Sequence, residues 1–377
     1  MYHYYYEYLK SSRYLRIFCT LPVTYDKNRK PRPRFRPFPF LWFYAFALVF
    51  QFSIMSFAAT DIILELRTEK VTKVAVKLVK IAVTLDILVV VYKSRNKFVD
   101  CMNSVLYYEE QAEKNNIVMR YRYSLRILLL MKKVMVLSTS FIGNLSCFMT
   151  GNTYISCVVS FITYNVTYLI SSIVLTQFCG LILVARQHLI FVNRALFNLS
   201  KDPQQAIEKM NELMTYHFEV CDMTIKINQA FSAHLLLIIV RTFVEFFNSL
   251  HSIVKEKSHL LVMYDFFWST CAIFEFIFML FACKRATETV IKLGSFVLRF
   301  LIKRWLQCSR TGRILNLLQT HNNNKLNLLR NVFLLQIRHK HVTFSANSLF
   351  SIDNKMFLHL ISTSVAYLLI IIQFEKE

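Results

Sequence analysis

Residues 357–374 read Phe-Leu-His-Leu-Ile-Ser-Thr-Ser-Val-Ala-Tyr-Leu-Leu-Ile-Ile-Ile-Gln-Phe and contain no Asp, Glu, Lys or Arg. An α-helix of about 20 mostly apolar residues crosses the hydrocarbon core of a bilayer. This stretch is therefore predicted to span a membrane. Six more apolar stretches upstream satisfy the same criterion, which predicts an all-α, seven-transmembrane helical membrane protein; they are 40–60, 71–92, 125–149, 154–184, 231–251 and 265–283.

The composition excludes several other classes of protein. Hydrophobic residues make up 55% of the 377 residues and charged residues only 18%, which is too apolar for a disordered chain and for a soluble core. Only 5 residues are Gly, so turn-rich β folds and phosphate-binding loops are disfavoured. No hydrolase, metalloprotease or P-loop pattern occurs, and we predict no enzyme activity, no cofactor and no metal site.

The distribution of Lys and Arg predicts the orientation in the membrane. With the N-terminus inside, the inner segments hold 33 Lys and Arg residues and the outer segments hold 6. Because basic residues concentrate on the cytoplasmic side, the N-terminus is predicted inside and the C-terminus outside. Most of the basic residues that give the net charge of +22 lie in the inner segments beside the spans. Membrane lipid, and not nucleic acid, is therefore the expected partner.

Polar and aromatic residues in the outer halves of spans four to six could form a ligand pocket. The candidates are Phe161, Tyr164, Glu245, Asn248, Phe267 and Trp268. Aromatic walls with a few polar groups suit small apolar or amphipathic ligands. Two alternatives stay open: the aromatic residues could face lipid, and Glu245 could pair with Arg241, one helical turn away, as a structural contact.

The end of the chain resembles the signature of the insect gustatory receptors. That signature has Thr-Tyr, five mostly aliphatic residues and Gln-Phe, and here Tyr367 precedes five aliphatic residues and Gln373-Phe374. The upstream stretch 350–353, Phe-Ser-Ile-Asp, is similar to a family segment that lies just before the last span. The chain departs from the pattern at Ala366, where the family usually has Thr, and at Asn347, near a frequent Cys-Gly.

The resemblance implies a ligand-gated cation channel of the plasma membrane of gustatory neurons, built as a homo- or heterotetramer of related receptors. The last helix would line the pore, and a small-molecule tastant, with bitter compounds favoured over sugars, would open it. Residues three or four apart share a helix face, and the candidate pore residues are Ala366, Leu369, Ile370, Gln373 and Phe374. From the residues alone, Gln373 could equally bind headgroups or water at the outer interface.

The predicted organisation has four parts. Residues 1–39 form a basic cytoplasmic segment, and 40–283 contain spans one to six with the ligand pocket. Residues 284–346 form a cytoplasmic anchor, and 347–377 contain the pore helix and a short outer tail. The alternative function is a G-protein-coupled receptor, although the predicted inside N-terminus and the lack of Asp-Arg-Tyr after span three argue against it.

Overall fold

The computed structural model describes residues 23–25, 31–33, 95–114, 167–197, 203–255, 259–310 and 342–374, with short helical pieces inside 328–339. Spans one, two and three of the sequence prediction, and residues 154–166 of span four, lie outside these ranges. The described helices are α1 (Arg95–Lys114), α2 (Thr167–Phe197), α3 (Pro203–Lys255), α4 (His259–Arg310) and α5 (Asn354–Phe374). The described strands form two small antiparallel pairs, β1 (Val23–Tyr25) with β2 (Pro31–Pro33) and β3 (Ser345–Ala346) with β4 (Phe350–Ser351).

Helices α3 and α4 are far longer than the spans predicted within them. Each has more than 50 residues, which at about 1.5 Å per residue exceeds twice the thickness of a hydrocarbon core. Both helices, and α2, contain a stretch long and apolar enough to cross a membrane. The predicted boundary at 283/284 lies inside α4, so span six and the start of the predicted anchor segment share one helix.

The main core joins α1, α2 and α3 through aromatic rings. Phe231 of α3 packs edge-on against Phe98 of α1, with ring centroids 4.8 Å apart, and against Phe178 of α2 at 5.6 Å. Phe178 also contacts Phe344, which directly precedes β3. All four side chains are buried, so the segment before the last helix is tied to the helix bundle by the hydrophobic core.

A tight hairpin precedes α5. The N–H of Leu349 donates to the carbonyl of Ala346 at 3.0 Å, and the two residues between them, Asn347 and Ser348, have φ of 49° and 60°. Two consecutive positive φ values define a turn whose twist suits an antiparallel pair, and Asn adopts them at lower cost than most residues. Asn347 therefore supplies the backbone geometry that Gly often provides in such turns.

Hydrogen bonds fix this hairpin at both ends. The Asn228 side chain on α3 accepts from the Ser345 N–H at 3.2 Å and donates to the Ser345 hydroxyl at 3.4 Å. At the other end, the Asp353 carboxylate accepts from the Met356 N–H at 3.0 Å and from the Ser351 hydroxyl at 3.1 Å. Asp353 is thus the N-cap of α5, and the hydrogen bond from Met356 lowers the pKa of its carboxyl group.

Candidate functional site

A buried arginine connects three helices near the middle of their predicted spans. The Arg241 guanidinium on α3 lies 3.2 Å from a Glu275 carboxylate oxygen on α4 and 3.8 Å from that of Glu245, one turn along α3. Arg241 also donates to the Ser171 hydroxyl on α2. The side chain of Arg241 is only 1% exposed, and a buried charge of this kind is tolerated only when it is paired and hydrogen-bonded.

Aromatic residues cover the arginine. The Arg241 guanidinium lies over the Tyr168 ring of α2, 5.1 Å from the ring centroid. Tyr168 also packs edge-on against Trp268 of α4, with ring centroids 4.8 Å apart. Trp268 and Cys271 are buried with Tyr168 in one small cluster, with Phe267 packed against it. We call Tyr168, Ser171, Arg241, Glu245, Trp268, Cys271 and Glu275 together the Arg241 cluster.

The structure brings several of the predicted pocket residues together. Glu245 and Trp268 both belong to the Arg241 cluster, and the carbonyl of Glu245 accepts from the Ser269 hydroxyl at 2.8 Å, which joins α3 to α4 here. Asn248 is half-buried one turn further along α3. Phe161 and Tyr164 lie outside the described residues.

Three residues of this cluster escaped the sequence reasoning although their spacing carried a signal. Tyr168 follows the predicted Tyr164 by four residues and Ser171 follows by three more, so both continue one helix face. Cys271 follows Trp268 by three residues on α4. The Tyr168 hydroxyl is buried and has no hydrogen-bond partner among the residues that the structure describes.

The candidate pore residues lie on one face of α5. Leu360 and Ser364 are buried against the bundle, while Ala366, Leu369 and Gln373 are exposed on the opposite side of the helix. Ile370 beside them is 44% exposed, and Leu369 is 55% exposed. The side chain of Phe374 lies outside the described residues.

The same exposed face continues toward the start of α5, beyond the residues that sequence reasoning selected. Ser362 and His359 are exposed there, four and seven residues before Ala366. Their helical spacing from Ala366 indicates the same face, although the sequence prediction named only residues in the aliphatic half of the span. The face is therefore polar near the predicted inner end and mostly aliphatic near the outer end.

A sequence model of the chemosensory receptors, described as "7tm Chemosensory receptor", matches residues 11–377. The chain belongs to this family. The predicted membership of the insect chemoreceptors is thereby confirmed, and the alternative of a G-protein-coupled receptor is not favoured. No curated protein matches the sequence significantly.

Solved structures of insect receptors share the fold of this chemosensory receptor. The olfactory receptor OR5 from Machilis hrabei in complex with eugenol superposes with a TM-score of 0.65 at 11% identity, over 98% of this chain and 100% of that one. A second structure of OR5 from Machilis hrabei gives a TM-score of 0.58 at 10% identity, with the same coverage. The predicted all-helical, seven-transmembrane class is therefore confirmed, and the protein is a membrane protein.

Within the described ranges, no group of three or more His, Cys, Asp or Glu side chains has the geometry of a metal site. Five cysteines of the described helices are buried as free thiols: Cys101, Cys179, Cys221, Cys271 and Cys283. The Arg241 cluster contains two carboxylates, one guanidinium, a tyrosine hydroxyl and aromatic faces.

Proposed function

We propose that this chemosensory receptor is a taste receptor that works as a ligand-gated, non-selective cation channel in the plasma membrane of gustatory neurons. The observation that carries the proposal is the exposed face of α5. A membrane helix packs one side on its own bundle and needs a lipid, subunit or pore environment for the other. Here that other side combines aliphatic residues with Gln373, which is the combination expected of a hydrophobic gate beside a hydrated ion site.

The channel would be a homo- or heterotetramer of related receptors around the exposed face of α5. Leu369 and Ile370 would close the pore by excluding water, and the Gln373 amide would offer its oxygen to a hydrated cation. The hairpin before α5 supports this role, because Asn228 and Asp353 connect the pore helix to α3 and fix where it begins. Movement of α3 would thus be transmitted to the start of the pore helix.

The tastant would bind beside the Arg241 cluster at the outer halves of α2, α3 and α4. A buried hydroxyl without a partner costs about 1–3 kcal/mol, and the Tyr168 hydroxyl has none among the described residues, so a ligand that accepts a hydrogen bond from it would gain affinity. Trp268 offers an aromatic surface to the same ligand. These features favour an aromatic compound with an acceptor oxygen or nitrogen, a description that fits many bitter compounds better than sugars. The eugenol complex of OR5 supports this choice.

Ion selectivity tests the pore proposal. Whole-cell currents would be recorded from cells that express the receptor, first screened with aromatic bitter compounds and with sugars. Gln373→Ala is expected to change relative cation permeability or single-channel conductance, because the pore loses its polar group. Val365→Ala on a neighbouring face of α5 is the matched control, since Val365 is 41% exposed but lies off the proposed pore face. Unchanged permeation in Gln373→Ala would remove this face from the pore.

The ligand proposal has its own test. Tyr168→Phe keeps the ring against Trp268 and Arg241 but removes the hydroxyl. It is expected to raise the half-maximal concentration of an acceptor-bearing agonist about tenfold, and to leave an agonist without an acceptor unaffected. Activation by sugars alone, or equal shifts for both agonists, would contradict this assignment while leaving the channel proposal intact.

A further inference from the structure

A pair of arginines lies where α2 and α4 leave their predicted spans on the inner side. Arg186 follows the predicted end of span four by two residues, and Arg285 follows that of span six by two residues. The Arg186 side chain donates to the Thr289 hydroxyl on α4 at 3.4 Å, and that hydroxyl donates to the Arg285 carbonyl at 2.7 Å. Thr289 thus links the Arg186 side chain of α2 to the backbone of Arg285 on α4.

The charge around this pair is strongly positive. Residues 185–197 and 281–292 contain five Lys or Arg side chains and one carboxylate, Glu288. Glu288 attracts Arg186 electrostatically, but neither arginine forms an ion pair with any carboxylate in the described part of the chain. Two arginines at the inner ends of neighbouring helices, neither of which forms an ion pair among the described residues, favour a phosphate group, which accepts several N–H donors.

The surface next to the pair is apolar. Phe274, Ile277 and Phe281 of α4 are 43%, 43% and 49% exposed and follow one helix face toward Arg285. The Arg285 guanidinium lies over the Phe281 ring, 5.0 Å from its centroid. The face is thus hydrophobic along the predicted span and cationic at its inner end.

We propose that Arg186 and Arg285 bind the headgroup phosphate of an anionic phospholipid of the inner leaflet, with its acyl chains along Phe274, Ile277 and Phe281. The phosphate would match the charge of the two guanidiniums, and the acyl chains would match the exposed apolar residues of α4. Basic pockets between membrane helices on the cytoplasmic side are suited to such headgroups. Because Arg186 bridges α2 and α4 through Thr289, the bound lipid would hold these helices together.

The test uses purified full-length receptor in mixed micelles. Binding of a fluorescent phosphatidylinositol 4,5-bisphosphate is measured by anisotropy, with fluorescent phosphatidylcholine as the neutral reference. Arg285→Gln is the main variant because Arg285 is exposed and its replacement leaves the packing of the bundle unchanged. Arg186→Gln is the second variant. Lys209→Gln removes a positive charge from an exposed position elsewhere on α3 and serves as the control.

The native receptor is expected to bind the bisphosphate lipid more tightly than phosphatidylcholine. Each arginine variant should weaken that binding about fivefold, and the control should not change it. Equal binding by the native protein and both arginine variants would overturn the proposal. Displacement of the lipid by soluble inositol 1,4,5-trisphosphate at equal concentration would overturn it as well, because the site would then recognise a free anion and not a lipid.

Discussion

Replacing Arg241 with Met would test how far one buried charge holds α2, α3 and α4 together. In the native protein the guanidinium contacts Glu275 at 3.2 Å and Glu245 at 3.8 Å, and it is 1% exposed. Met has a similar length but no charge. The substitution takes the guanidinium from two buried carboxylates and from the Ser171 hydroxyl.

The expected loss is large because the carboxylates keep their desolvation cost. Removing one partner of a buried ion pair destabilises proteins by about 3–5 kcal/mol. For a chain of this size, that corresponds to a fall in melting temperature of about 4–6 °C. The same helix provides a matched control. Lys226 and Asp222 also form an i,i+4 pair, 3.0 Å apart, but their side chains are 43% and 41% exposed. Lys226→Met should therefore cost less than about 1 kcal/mol.

Melting temperatures would be measured on detergent-solubilised full-length protein by intrinsic fluorescence. A double variant, Arg241→Met with Glu275→Met, replaces the closest ion pair by two apolar side chains and should recover part of the stability. Lys226→Met should melt within about 2 °C of the native protein. If Arg241→Met did the same, the buried ion pair would contribute little to the free energy of unfolding, and the reasoning would be refuted. A double variant no more stable than the single variant would also refute the reasoning.

Three further predictions concern the cap, the core and a thiol. Asp353→Ala should cost about 1 kcal/mol because α5 loses its N-cap. The Met356 N–H lowers the pKa of Asp353, so the native carboxylate is stabilised by folding. The difference in melting temperature between native protein and variant should therefore reach its maximum above about pH 4 and disappear as the pH falls through the lowered pKa of Asp353. A constant difference at all pH values would contradict it. Phe231→Ala should lower the free energy of unfolding by about 3–5 kcal/mol, because its contact with Phe98 is lost, and a loss below 1 kcal/mol would refute the core assignment. Burial raises the pKa of Cys101 to about 12, so peptide mass spectrometry should find Cys101 labelled by maleimide at pH 8 only after denaturation, and labelling of the folded protein would contradict this.

The sequence predicted the class of the protein because hydrophobicity and charge act locally. The apolar stretch 357–374 needs no tertiary information to be recognised as a membrane helix, and α5 covers it from Asn354 to Phe374. The ends of the other helices were less predictable. Apolar composition marks where a helix meets the hydrocarbon core, but α4 continues to Arg310 because its polar half is also helical.

Helical periodicity placed Glu245 on α3 and Trp268 on α4 but could not show that both belong to the Arg241 cluster. That arrangement depends on how the helices pack, and a single sequence does not show which helix faces are opposed. Tyr168 could have been predicted from the sequence, because it lies four residues after Tyr164 and so shares its helix face. The Arg241–Glu275 contact could not have been predicted in this way, since 34 residues separate the two along the chain.

The sequence by itself determined that this protein is an all-helical membrane protein of the chemosensory type, through its apolar spans, its inner Lys and Arg residues and the motif ending in Gln373-Phe374. The tertiary structure alone decided that Arg241 joins two carboxylates from different turns and helices, that Asn228 holds the hairpin before α5, and that Arg186 of α2 contacts Thr289 of α4. The physical reason is that spans and orientation follow from the solvation of each segment, whereas these contacts arise only when distant helices pack at a particular register.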